Sequence, residues 1–270
     1  MWFEACSTVG VGVASRSLRQ VDIDRIGPSR REACGKRSTG HQTWRDLLFV
    51  HWEVPLEVLR GLVPPSLSID VYEGRAYVGL VPFTMHDVRF GPLPVADFLE
   101  TNLRTYVHTE GVPGVWFFSL DAESRLAVWG ARTLYGLPYF RARMTCASRD
   151  GYVYRTEREG AAAGLDVAWR VVDGKDHAAA PGTLEHFLTE RYALYGSARG
   201  GGVYRVRVHH RAWPLRHARL GRLETSIPQA AGIAVGDPID LVLASVEGVA
   251  VQTFARERAE RMTRSRPQPP

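Results

Sequence analysis

The chain reads as a mainly antiparallel β protein with three or four peripheral α-helices. Two observations predict this. Segments rich in β-branched and aromatic residues outnumber helical ones along the 270 residues. The links between them are short, and strands do not alternate regularly with helices as a parallel fold requires. No internal repeat of fixed period is present.

The first 43 residues mix Arg, Ser, Gly and Cys without helical or strand period. They are expected to form a disordered extension, with a single domain over 44–254 and a basic, disordered tail over 255–270. Leu47 to Trp52 is dense in β-formers and predicts a buried strand. Pro55 to Val63 carries Leu56, Leu59, Leu62 and Val63 on one face behind an initial proline, which predicts a short helix. Ile69 to Phe83 predicts a hairpin turning at Glu73-Gly74, and a second hairpin pairs 99–107 with 115–121. Glu123 to Tyr135 has helical spacing ended by Gly136 and Pro138. Strands are expected at 139–147, 152–158 and 165–172. Thr183 is a good N-cap for a helix reaching about Tyr195, and further strands fit 203–211, 239–246 and 248–254.

The net charge of +5 suggests an anionic macromolecule until it is located along the chain. Residues 1–43 carry seven basic and four acidic side chains, and Phe254 to Pro270 five and two. The body between them is −1, so the basicity sits in the tails and no nucleic-acid partner is expected. Only Lys36 and Lys175 are lysines, which makes amine nucleophiles scarce. Three cysteines in no paired spacing fit a reducing compartment. No apolar run spans a bilayer, and Met1 to Ser17 carries Glu4 and lacks a basic start. A cytoplasmic protein without a membrane partner is expected; oligomeric state is not legible.

The most informative stretch is Glu100 to Val107. Glu100, Asn102, Arg104 and Tyr106 share one strand face. Its hairpin partner has Trp116, Phe117, Phe118 and Leu120, apolar on both faces, so that strand is expected to be buried on both sides. A symmetric hairpin about residue 111 sets Tyr106 beside Trp116, Arg104 beside Phe118 and Asn102 beside Leu120. A few convergent polar groups on an apolar wall describe a ligand cavity of several hundred cubic ångströms. A solvated face or a satisfied ion-pair network is the rival reading.

Other chemistries find little support. His209 and His210 are adjacent on a strand and point to opposite faces, His51-Trp52 has no ligand spacing, and no metal centre or cofactor is expected. Cys146 reads as a core residue. There is no GxSxG elbow and no GxGxxG; Gly10-Val11-Gly12 lies in the extension without a preceding strand, and Gly200-Gly201-Gly202 reads as a flexible loop. The alternating Arg205, Arg207 and His209 lack interleaved aromatics and read as a solvated face.

Several segments resemble the YqjF-like bacterial family. They include Trp44-Arg45-Asp46-Leu47-Leu48-Phe49, Val78-Gly79-Leu80-Val81-Pro82-Phe83, Glu100 to Val107, Pro113 to Asp121, Leu184 to Tyr192 and His209 to Leu215. The resemblance implies the acetoacetate decarboxylase-like superfamily, whose fold is a cone-shaped β-barrel with peripheral helices. Those decarboxylases use a lysine Schiff base in a glycine-x-proline-lysine-lysine segment. Here the corresponding Gly136-Leu137-Pro138-Tyr139-Phe140 places Tyr139 and Phe140 at the lysine positions, and neither can form an imine. The resemblance thus implies the fold and a pocket while arguing against that chemistry. It also implies that Arg132 and Glu100 face a carboxylate-bearing ligand.

Three readings remain open from sequence. The first is a barrel binding a small anionic molecule, with Arg104 or Arg132 pairing the anion and Trp116, Phe118 and Tyr139 packing its apolar part; Asn102 and Tyr106 complete the wall. The second is an enzyme on a keto or hydroxy acid, with Glu100 as general acid or base tuned by Arg104 and burial. The third is a non-catalytic structural or interaction module with a filled interior.

Overall fold

The computed structural model describes residues 38–90, 93–125, 128, 136–172, 174–198 and 201–259. The elements in order are β1 (Gly40–Arg45), β2 (Leu47–Val54), α1 (Leu56–Leu62), β3 (Ser68–Ile69), β4 (Ala76–Phe90), β5 (Leu93–Pro94), β6 (Phe98–Thr109) and β7 (Val112–Ala122). After these come β8 (Tyr139–Ser148), β9 (Tyr152–Arg158), β10 (Gly164–Val171), α2 (Leu184–Thr189), β11 (Ala193–Ser197), β12 (Val203–His209) and β13 (Arg216–Thr225). The last are α3 (Ile227–Ala230), β14 (Leu243–Ser245), β15 (Val249–Thr253) and β16 (Glu257–Arg258).

Strand pairing closes on itself twice. One ring runs β1–β15–β12–β11–β7–β6–β4 and back to β1. The other runs β7–β8–β9–β10–β13–β14–β2–β4–β6 and back to β7. Closure removes the free edges that an open sheet exposes. Strands β4, β6 and β7 belong to both rings and form a shared wall. That is why β6 is buried almost throughout: it has no solvent face. Leu103, on its odd face, joins the apolar cluster of the second ring with Val78, Met144, Tyr154 and Trp169. The even face looks into the first ring, whose cluster is built on Phe83, Leu120, Val208 and Trp213.

The pairings are antiparallel except β7–β8 and β7–β11. Two tight reversals are set by backbone sign. Glu110 and Gly111, both at positive φ, make the two-residue turn between β6 and β7. Asp46 at φ 54° turns β1 into β2.

Several expectations need correction. The hairpin at Glu73-Gly74 amounts to a single bridge between Tyr72 and Arg75. Beyond it Ile69 pairs with Val107, and Ala76 onward pairs with β2 and β6, because the shared wall offers longer apolar partners. The helix from Thr183 stops at Thr189. Thr183 does cap it, accepting from the His186 N–H at 3.3 Å. Glu190 then leaves helical geometry to accept from the Trp213 N–H, and Arg191 turns to Asp70. The last residues of the helix expected to reach about Tyr195 belong instead to β11, Ala193–Ser197. Order also begins before Trp44, since β1 starts at Gly40, and β16 lies in the expected tail. Of the helix expected over 123–135, most lies outside the described residues. No described helix is long and apolar enough to cross a membrane.

Candidate functional site

The first ring is not completely filled. A cavity of about 130 Å³ lies within it, walled by Phe83, Phe117, Leu120, Val208 and Trp213 and reached by Glu100, Asn102, Arg104, Tyr139, Arg191 and His210. This is smaller than the several hundred cubic ångströms the sequence suggested. A closed apolar cavity of comparable size holds a benzene-sized molecule.

The β6 period sets the polar order along the wall. Residues i and i+4 on a strand lie about 13 Å apart, so Glu100 and Arg104 stand at opposite ends with Asn102 between. At one end Glu100 is 2% exposed, and its Oε2 accepts from the Tyr139 hydroxyl at 2.8 Å. Burial pushes the Glu100 carboxyl up to about 8; the Tyr139 hydrogen bond opposes this and the nearby Asp121 carboxylate reinforces it. Glu100 is therefore mostly a neutral acid at pH 7. The expectation that Arg104 tunes it does not hold, because the strand separates them.

At the other end the Arg104 guanidinium donates to the Leu188 carbonyl at 3.3 Å, and its Nε has no partner. Among the described residues it has no carboxylate partner. Arg191 reaches the same cavity. Its Nη1 pairs with Asp70 at 2.6 Å and its Nε donates to the Phe187 carbonyl, while Nη2 is buried without a partner. Asn102 Oδ1 is a third buried polar atom without a partner. Orphaned buried groups carry a desolvation cost of about 1–3 kcal/mol each, and these three belong to residues lining one cavity.

Tyr106 does not line the cavity. Its hydroxyl donates to the Leu188 carbonyl at 2.8 Å and lies 2.7 Å from His51 Nε2. With that proton committed, His51 must donate through Nε2. Burial, helped by the Arg104 charge, holds His51 well below the usual imidazole range, so it is neutral. Gly79 makes room for this pair. A Cβ there would sit 2.9 Å from the His51 ring and 3.2 Å from the Tyr106 hydroxyl. Gly79→Ala should cost about 1–3 kcal/mol in thermal unfolding. Much of the loss should return in Gly79→Ala/His51→Ala, and equal losses with and without the imidazole would refute the account.

Trp116 and Phe118 do not stand on the Glu100 wall. A bulge between Leu103 and Arg104 sets Arg104 opposite Phe117 and Tyr106 opposite Val115, though Asn102 does face Leu120. The extra residue is Phe118, and it inverts the faces beyond it. Phe117 therefore enters the cavity, while Trp116 and Phe118 pack against a cluster with Val63, Leu67 and Tyr195. Arg132 lies outside the described residues. Tyr139 lines the cavity, and Phe140 lies under the Arg158 guanidinium at 4.0 Å. No lysine lines the cavity among the described residues, and Lys175 is exposed on a loop. Sequence reasoning missed Arg191, His210 and Trp213. The first was assigned to a helix, and the others become neighbours only when the ring closes.

Residues 41–249 match the DUF2071 family, described as an uncharacterized conserved protein. The chain is 40% identical over 208 residues to the uncharacterized protein YqjF of Bacillus subtilis (strain 168), covering 73% of this chain and 84% of that one. Among solved structures it is similar to the acetoacetate decarboxylase of Legionella pneumophila, with TM-score 0.60 and 13% identity over 96% of this chain and 98% of the other. The enduracididine biosynthesis enzyme MppR complexed with pyruvate aligns with TM-score 0.55 and 11% identity, covering 87% and 95%. At these identities the structures establish the fold, which is acetoacetate decarboxylase-like.

Proposed function

The chain belongs to the DUF2071 family, and on that premise we propose that it binds a small organic carboxylate in the cavity of the first ring. The observation that carries this is Arg104: a guanidinium at an apolar cavity without a carboxylate partner among the described residues. A planar guanidinium with free donors matches a carboxylate bidentately. Arg191 Nη2 adds a second donor, and Phe83, Phe117 and Leu120 surround the apolar part of the ligand. The size limits the ligand to a few heavy atoms.

Glu100 supports a second reading, an enzyme acting on a keto or hydroxy acid. A carboxyl near 8 suits proton transfer at neutral pH. Glu100 and Arg104 stand about 13 Å apart along the strand, so on this reading a small keto or hydroxy acid reacts at the Glu100 end of the cavity, where the protonated carboxyl can donate to its keto or hydroxyl oxygen. The structurally similar MppR holds pyruvate, a ligand of this class and size. Imine chemistry is not part of this reading, because no lysine lines the cavity among the described residues.

Thermal-shift titration with acetate, pyruvate, lactate and acetamide tests the assignment. The carboxylates should raise the melting temperature and acetamide should not. Arg104→Met should weaken the carboxylates about 10- to 100-fold. Equal shifts in the wild type and Arg104→Met, or none with any carboxylate, would favour a structural module. Conversion of pyruvate or lactate that is lost in Glu100→Gln while binding persists would establish the enzymatic reading.

A further inference from the structure

Outside the cavity, three side chains remote in sequence converge. His177 lies in the connection before α2 and is fixed by a two-way backbone bridge to Leu215, with N–H···O distances of 2.9 and 2.8 Å. Glu185 stands in the first turn of α2, and His217 on β13. The Glu185 carboxylate spans both imidazoles: Oε2 is 3.2 Å from His177 Nε2, and Oε1 is 3.6 Å from His217 Nε2. The two rings stack with centroids 5.4 Å apart.

We propose that His177, Glu185 and His217 form a binding site for a divalent transition-metal ion of the zinc class. The three ligand atoms already lie within 4.8 Å of one another. Around zinc, with bonds of about 2.0–2.2 Å, tetrahedral ligand atoms stand about 3.3–3.6 Å apart, so small rotations of the side chains complete the set. Two imidazoles and one carboxylate suit Zn²⁺, Co²⁺, Ni²⁺ or Cu²⁺ rather than Mg²⁺ or Ca²⁺, which prefer all-oxygen shells. The neighbouring cation does not neutralise Glu185, because Arg216 is paired with Asp176. His217 is more than half exposed, which leaves a fourth position open to water. No short sequence spacing announces this site: the ligands come from a loop, a helix and a strand.

The ion would tie α2 to β13. The same helix carries the Leu188 carbonyl, which accepts from Tyr106 and Arg104, and Thr189 of the cavity wall. Metal binding should therefore stabilise the protein whether or not the cavity takes a carboxylate.

Titration of the metal-free full-length protein with ZnCl₂ by calorimetry, and with CoCl₂ by visible absorption, tests the site. One equivalent should bind, cobalt should develop ligand-field bands without a thiolate charge-transfer band, and the melting temperature should rise. His217→Ala, exposed enough to fold normally, and Glu185→Gln should each weaken zinc at least about tenfold. Cys6→Ser/Cys34→Ser should leave it unchanged. Absence of binding up to about 1 mM zinc, binding untouched by both ligand substitutions, or binding lost with the two cysteines would overturn the proposal.

Discussion

Glu100→Gln should raise the melting temperature at pH 8 and leave it level or somewhat lower at pH 5. The Glu100 carboxyl titrates near 8 in the fold and has an ordinary value of 4.5. Between those values the folded state holds a proton that the unfolded state has released. Stability contributed by this group is thus complete below about pH 4.5 and falls as pH rises through the window, levelling above 8. Keeping the carboxyl protonated to that height is worth roughly 5 kcal/mol at most, at about 1.4 kcal/mol per pH unit. Glutamine is neutral throughout and can accept from Tyr139 as the acid does. It brings one more N–H than the acid has O–H, and that orphan donor costs about 1–3 kcal/mol. The net gain at pH 8 should be about 2–4 kcal/mol, or about 5–10 °C for a chain of this size. Other titrating groups act on both proteins alike and cancel in the difference. Parallel melting profiles for the two proteins from pH 5 to pH 9 would show that Glu100 is an ordinary carboxylate.

Glu100 could be found from sequence because its strand announces itself. Alternation put Glu100, Asn102 and Arg104 on one face, and the doubly apolar partner Trp116 to Leu120 showed that the region is buried. What alternation cannot show is the bulge at Phe118, since one extra residue leaves the hydrophobic pattern intact while inverting the faces beyond it. Phe117 was thereby exchanged for Trp116 and Phe118. Ring closure was equally hidden. The β4–β1 and β7–β11 pairings join segments of unremarkable local pattern, and they bring Arg191, His210 and Trp213 to the cavity. Arg191 illustrates the limit: it falls within the helix expected from Thr183, and a tertiary pair with Asp70 draws it to the cavity instead.

Arg158→Met should destabilise the protein by about 3–5 kcal/mol at neutral pH, and Asp121→Asn in that background should restore most of the loss. Asp121 is fully buried, and Arg158 holds it through two parallel hydrogen bonds of 2.6 and 2.8 Å. The guanidinium also lies on the Phe140 ring. Methionine keeps the packing on Phe140 but strands a carboxylate in the wall between the rings. Removing one partner leaves a buried charge, whereas removing both charges removes the desolvation cost with the attraction. The pair therefore need not be a net source of stability, and its position points to a different role. Asp121 pairs across the sheet with Thr101, next to Glu100, and its negative charge helps hold the Glu100 carboxyl protonated. Asp121→Asn/Arg158→Met should thus fold with near wild-type stability, while the acid–base midpoint of Glu100, followed by NMR of its side-chain carboxyl carbon, moves down only in part, because burial is the larger cause of its elevation. A single Arg158→Met variant losing less than about 1 kcal/mol would mean that water reaches Asp121. An unmoved Glu100 midpoint in the double variant would assign the elevation to burial alone.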